Sequence, residues 1–400
     1  MSPAAPKYEH RGSRLGLAIL LASLSMVSPF SIDTFFPSFR AISAEFHLNA
    51  WQIQQTLTVY MLAYAFMSLV HGPLSDALGR RPIVLWGLSI YTLASVACAL
   101  APNFAALLAF RTLQGMTAGT GLAVGRAVVR DIYDGPQAQQ LMSTIMVIFG
   151  IAPALAPVIG GWIHVLLGWR SVFGFMALIG VALLVACALR LPETHPPEHR
   201  LRLIASSLAA TAMGVARHRE FLLLALASGL SFAAVIGYIG AAPAIVLDQW
   251  HLKETQFAWL FVPVIGGFVM GALVSGRLAG RAKRQKQLRL GLGITIAATV
   301  VLVLLQSSGW SVPIPLQQVA LFGVSFGVQI SAPVLALRML DLFPHARGSA
   351  VSVQSFVTIL ISSIVMGFVV PALHGSLLLL AIGSCAASVL AYVIARAATH

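Results

Sequence analysis

A chain of 400 residues with 58% hydrophobic and only 9% charged side chains lacks the charge of a soluble surface, about 25% in ordinary globular domains. The formal net charge of +13 raises nucleic acid as a partner, but the basic residues fall between apolar runs and form no single basic surface, which argues against it. Lipid is the solvent this composition suits, and the apolar runs leave no room for a second, soluble domain.

The runs are long enough for helices that cross hydrocarbon, roughly 20 residues each, and lack the alternation of barrel strands. Lys7, Arg11 and Arg14 precede the first run, 15–36. That run is too long for the apolar core of a secretory signal, so it is expected to be a retained first span. Spans 2 to 6 are expected at 52–71, 82–101, 104–128, 138–165 and 171–190. Spans 7 to 12 are expected at 221–247, 256–276, 287–307, 313–337, 348–371 and 374–395. The expected fold class is therefore an all-α membrane protein with twelve transmembrane helices in two six-helix bundles. The first bundle occupies 1–190 and the second 221–400, joined by a polar linker, 191–220, that carries Pro192, Pro196 and Pro197. The three cysteines, Cys98, Cys187 and Cys385, lie inside apolar runs without metal-ligand spacing and read as small packing residues. No metal and no cofactor are expected.

Basic residues collect in cytoplasmic loops of membrane proteins. With the N-terminus cytoplasmic, 21 of the 25 Lys and Arg residues fall on the inner side, three (Arg40, Arg170, Lys253) on the outer side, and Arg111 inside span 4. The expected topology is multi-pass with both termini cytoplasmic. A degenerate repeat supports duplication. Gly72-Pro-Leu-Ser-Asp76-Ala-Leu-Gly79-Arg80-Arg81 follows span 2, and Gly276-Arg-Leu278-Ala-Gly280-Arg-Ala-Lys283-Arg284 follows span 8. The second copy lacks the Asp. Paired six-span repeats with a site between them are a transporter architecture.

Four segments carry chemistry. In 72–81 the glycines allow a tight interfacial turn, Asp76 suits a helix N-terminus, and Arg80 and Arg81 sit on the inner side. In span 4, Arg111 opens the run Arg111-Thr-Leu-Gln114-Gly115, and a charge at that depth costs about 2.5–3.5 kcal/mol on insertion scales. It marks function, or else a structural Arg that caps buried carbonyls. Span 5 holds Gly150, Pro153, Pro157, Gly160 and Gly161, where prolines free carbonyls and bend the helix while glycines permit close approach. Asp33 is the one acid placed inside a span. Helix rise puts Asp33 and Arg111 at similar depth, within reach of each other if spans 1 and 4 are neighbours. A carboxylate whose surroundings alternate between burial and a nearby Arg can carry a proton. The alternative is an interfacial Asp in water at a helix end.

These segments together resemble the major facilitator superfamily. The stretch 72–81 is similar to its loop 2–3 signature, which implies an inner gate built from Gly72, Asp76, Gly79, Arg80 and Arg81, with Asp131 as a partner. Span 4 resembles the family's R-x-x-Q-G motif, and Gly150–Gly161 resembles its antiporter motif, which implies export. The run Asp33-Thr-Phe-Phe-Pro37, with Trp169-Arg170 and Leu191-Pro-Glu193-Thr194, resembles the bicyclomycin- and chloramphenicol-resistance branch of drug–proton antiporters. Some relatives carry a second acid in span 1 where this chain has Ser25. The resemblance implies proton-coupled efflux of small hydrophobic drug-like compounds by a monomer, with Asp33 and Arg111 coupling the proton. Tyr64, Gln114, Met146, Tyr238, Gln329 and Gln354 are candidates for the substrate pocket. Mid-span polar groups are few, which favours an apolar ligand over a sugar or amino acid; export of such a metabolite is the alternative. His71, at the inner end of span 2, reads as structural. No Walker phosphate loop and no nucleophile–base pair occur, so an ATP-driven pump or an enzyme is not expected.

Overall fold

In a computed structural model the chain is described over residues 14–133, 135–200, 205–309, 311–344 and 346–398. Lys7, Arg11, Asp134 and Arg202 lie outside these. Among the described residues ten helices are long and apolar enough to cross a membrane, and the bent pair Ala50–Ser68 and His71–Leu78, which turns by 50°, makes an eleventh. The expected count of twelve is reached only through span 4. That run is divided into Phe104–Ala118 and Thr120–Ile132, each too short to cross alone. Gly119 between them has φ −78° and ψ −11°.

The remaining spans follow the expected runs within a few residues. Span 1 is Arg14–Asp33, span 3 Arg80–Ala99, span 5 Gly135–Leu167 and span 6 Trp169–Arg190. Span 7 is Arg219–Gly240, span 8 Ala258–Leu278, span 9 Arg284–Ser307, span 10 Ile314–Leu342 and span 12 Leu377–Ala397. Span 11 begins as Arg347–Ile364, passes through a π-helical turn at Val365–Val369 and ends with Val370–Leu373. A second π turn, Ala244–Gln249, follows span 7. Leu93, Leu166, Leu189 and Leu304 are exposed on the outside of the bundle, as expected for helices whose solvent is lipid.

The segment 191–220 divides its attachments. Leu191 and Thr194 are buried against the first six spans. The helix Ala205–Arg217 instead packs Val215 into an apolar cluster with Phe221, Leu224, Leu335 and Met339 of the last six.

Close packing within the second half depends on glycine. Gly291 of span 9 and Gly327 of span 10 face each other, and a Cβ on Gly327 would overlap the Gly291 carbonyl and Thr295. Interfaces of small residues let helix backbones approach where no hydrophobic effect drives association. Gly293, two residues away, faces open space. Gly327→Leu is expected to lower the yield of folded protein and its thermal stability by more than the about 1–3 kcal/mol typical of overpacking. Gly293→Leu should leave both unchanged, as size-exclusion profiles and thermal melts of the two variants would show.

Candidate functional site

Two polar clusters lie in the first half. The first centres on Arg111, whose side chain is completely buried. Its Nη1 donates to the Ser31 carbonyl (3.1 Å) and to Gln114 Oε1 (2.9 Å), and its Nε donates to the Thr56 carbonyl (3.4 Å). Three rings surround the cation: its central carbon lies 4.4 Å from the Tyr60 centroid, 5.1 Å from Phe35 and 5.9 Å from Phe173. Ring quadrupoles attract a desolvated guanidinium by about 2 kcal/mol or more each, which offsets part of the cost of burial. Nη2 has no partner.

The expected Asp33–Arg111 pair does not form in this conformation. Asp33 ends the span 1 helix and is 4% exposed, with no ion pair or hydrogen bond to any described residue. It is therefore buried and not an interfacial group in water. The last carbonyls of a helix have no intrahelical amide, so the Ser31 oxygen is available and Arg111 takes it. Arg111 thus caps buried carbonyls of spans 1 and 2. Gln114 is also displaced from its expected role. Fully buried, it accepts from Arg111 and donates to Ser95 Oγ (2.7 Å), leaving it no free face for a pocket.

Span 5 closes on the same region. A Cβ on Gly160 would overlap the carbonyl of Thr34, the neighbour of Asp33, and one on Gly161 would overlap the carbonyl of Glu254 in the segment between spans 7 and 8. The two glycines thus join the end of span 1 to the second half. Gly150 meets no such constraint, and Pro153 and Pro157 lie inside a helix that runs on through them.

The second cluster sits at the basic end. Arg80 pairs with Asp76 and, through Nε, with Asp131 (3.0 Å), and its Nη1 donates to Ser75 Oγ (2.7 Å). Thr194 donates to the same Asp131 oxygen (2.8 Å). Glu193 accepts the backbone amides of Arg80 (3.0 Å) and Arg81 (3.3 Å). Gly79 makes this possible: its φ is +103°, and a Cβ there would strike the Glu193 carboxylate. Arg81 donates to the Ala188 carbonyl (2.6 Å). Glu193 was noted in the sequence only as part of a familiar string; its contact with loop 72–81 is a tertiary fact.

The residues expected to form a gate all belong to the first half and its continuation, so they do not bridge the halves here. Phe66 and Phe356 meet across the halves at 5.5 Å near the bend of span 2, and the polar contacts between halves lie at the other end. Arg40 pairs with Asp248, Gln54 donates to the Gly240 carbonyl (3.0 Å) and Gln55 to the Gly367 carbonyl (3.1 Å). Trp51 packs edge-on against Phe368 at 5.6 Å. Sequence reasoning missed these residues, because nothing along the chain marks a Gln that faces a carbonyl nearly 200 residues away or more.

His71 is buried at the bend of span 2. Its Nε2 lies 3.0 Å from the Met116 carbonyl and 3.1 Å from Thr120 Oγ1, across the division of span 4. Among the other pocket candidates, Tyr64 packs its ring on Gly119. The Tyr238 hydroxyl is buried without a partner, and Gln329 and Gln354 are half-buried with no hydrogen bond to a described residue. The Met146 side chain lies outside the described residues.

Comparison with known proteins places this geometry. The model for the Major Facilitator Superfamily matches residues 21–366. An uncharacterized MFS-type transporter of Bacillus subtilis (strain 168), YdgK, is 31% identical over 354 residues, 88% of each chain. A bicyclomycin resistance protein homolog of Haemophilus influenzae is 27% identical over 384 residues, 94% of each chain. A chloramphenicol resistance protein of Pseudomonas aeruginosa is 27% identical over 352 residues, 88% of this chain and 82% of its own. A bacterial homologue of the human lysosomal transporter Spinster, solved inward-facing and unoccupied, superposes with a TM-score of 0.69 over 96% of each chain at 16% identity. The helical bundle, the loop 72–81 and the sequence relatives agree: this chain is a member of the major facilitator superfamily.

Proposed function

We propose that this chain exports small hydrophobic, drug-like compounds in exchange for protons across a bacterial inner membrane, with both termini cytoplasmic. The relatives named for bicyclomycin and chloramphenicol resistance support the substrate class. The observation that carries the coupling is Asp33: a buried carboxylate with no partner among the described residues, one residue from the Thr34 backbone on which Gly160 packs. Any change in the charge of Asp33 acts on the end of span 1, which Arg111 holds through the Ser31 carbonyl and span 5 holds through Gly160. A proton arriving at Asp33 from outside would relax this junction and favour drug release; its loss inside would restore the site for the next drug. The electrical part of the driving force is about 2.3 kcal/mol per elementary charge per 100 mV.

In this reading Tyr238, Gln329 and Gln354 are the sparse polar groups that meet a mostly apolar ligand, beside the ring of Tyr64. Arg80 with Asp76 and Asp131 forms the inner gate. The bundles 1–190 and 221–400 rock about the buried site, and the linker 191–220 spans them.

Asp33→Asn is expected to abolish proton-coupled drug uptake into inverted vesicles, while drug binding to the purified protein persists; uptake at the native rate would remove Asp33 from the mechanism. Arg111→Lys keeps a charge but loses the fork that reaches Ser31, Thr56 and Gln114 together. It should cut transport about tenfold or more, since two of those hydrogen bonds to a charged donor, about 1.5–3 kcal/mol each, are lost. Transport rates at matched protein levels would check this. Gly79→Ala forces a side chain into a left-handed backbone against Glu193, at a cost of about 1–3 kcal/mol. Efflux-dependent resistance should fall with it, and a melting temperature equal to that of the native protein would argue that the turn is not strained by a side chain.

A further inference from the structure

At the basic end of the second half a shallow cleft opens between spans 9 and 12. Leu288, Arg289 and Leu292 form one wall, with Gln285 above them, and Tyr392, Ala395 and Arg396 form the other. The spacing on each helix, three and four residues apart, presents one face of span 9 to one face of span 12. The cleft is basic at its mouth and apolar below. Leu290, Leu390 and Val393, exposed at 47%, 51% and 55%, continue the apolar surface on the same two helices.

The charge around the cleft is one-sided. Arg277, Arg281, Lys283, Arg284, Lys286 and Arg289 are all exposed within one stretch of chain. The carboxylates at this end of the half are already engaged, Asp341 with Arg284 (2.7 Å) and Glu220 with Arg338 (3.3 Å). Arg289 has no ion pair among the described residues. Neither the proposed transport cycle nor the inner gate uses these groups.

We propose that this cleft binds an anionic phospholipid, with its phosphate between Arg289 and Arg396 and its acyl chains along the exposed leucines and valine. A guanidinium fork matches two phosphate oxygens, and a tyrosine at the headgroup level supplies a hydroxyl beside an apolar ring. Basic pockets between helices at the interface hold anionic headgroups for this reason. The apolar floor and the flanking hydrocarbon-facing residues select a lipid over a soluble phosphate.

The test uses the full-length protein, purified in detergent, stripped of lipid and titrated with phosphatidylglycerol or phosphatidylcholine, with bound lipid counted by native mass spectrometry. Phosphatidylglycerol should bind about tenfold more tightly than phosphatidylcholine. The double variant Arg289→Gln, Arg396→Gln should lose that preference, whereas Arg281→Gln, Lys283→Gln, matched in charge, should keep it within about twofold. Arg289→Lys, which retains the charge, should fall between the native protein and the double variant. Melting curves in phosphatidylcholine check folding; if the double variant is unfolded, Arg289→Gln alone is read in its place. Equal loss in the two double variants would overturn the proposal in favour of a diffuse field. Displacement of the lipid by an equal concentration of glycerol phosphate would overturn it in favour of a soluble phosphate site.

Discussion

A main-chain carbonyl without an amide partner is costly inside hydrocarbon, where no water can replace the missing bond. This chain interrupts its helices within the bundle at several places, and each interruption releases such a carbonyl. Side chains from other spans meet them. Arg111 takes Ser31 at the end of span 1, and His71 lies against Met116 where span 4 divides. Gln54 takes Gly240 at the end of span 7, and Gln55 takes Gly367 in the π turn of span 11. The sparse polar residues of the interior are therefore spent largely on holding broken helices in register. Tyr238, Gln329 and Gln354, by contrast, have no hydrogen-bond partner among the described residues.

The same constraint makes the charge of Arg111 tolerable. Its Nη1 and Nε reach the Ser31 and Thr56 carbonyls and Gln114, and its faces are covered by Tyr60, Phe35 and Phe173. Asp33 lies two residues beyond the carbonyl that Arg111 holds, so the acid and the cation are joined through the backbone of span 1 and not by a direct pair. In the proposed cycle no salt bridge has to break; that cycle requires the end of span 1, where the helix stops at Asp33 and Thr34 meets Gly160, to take two arrangements.

The two ends of the bundle are built differently. Away from the basic loops, Arg40–Asp248, Trp51–Phe368 and Gly161 against Glu254 join the halves. At the basic end the ion pairs stay within each half. Arg80 opens span 3 and pairs with Asp131 near the end of span 4; Arg284 opens span 9 and pairs with Asp341 near the end of span 10. Gly79, directly before Arg80, and Gly280, four residues before Arg284, both have positive φ, though they do not occupy the same position of the repeat. The duplication faint in the residues is thus plain in the ion pairs, because the turn and the pair are what the fold requires and the intervening residues are free to drift.

The sequence alone determined the solvent, the helical class, the family and nearly every span, because a bilayer allows only long apolar helices and the charge asymmetry of the loops leaves few other divisions of the chain. It also marked Asp33, Arg111 and the 72–81 turn, since charge and glycine are conspicuous against an apolar background. Span 4 reached the expected length only across Gly119, because glycine there admits the Tyr64 ring and a break that no hydropathy window detects. Which carbonyl Arg111 caps, that Gln114 serves Arg111 and not a ligand, and that Glu193 seats the Arg80 turn were decided by tertiary structure. The physical reason is that a polar side chain in lipid goes to the nearest unmet partner, and that partner lies on another helix, at a position the linear chain does not encode.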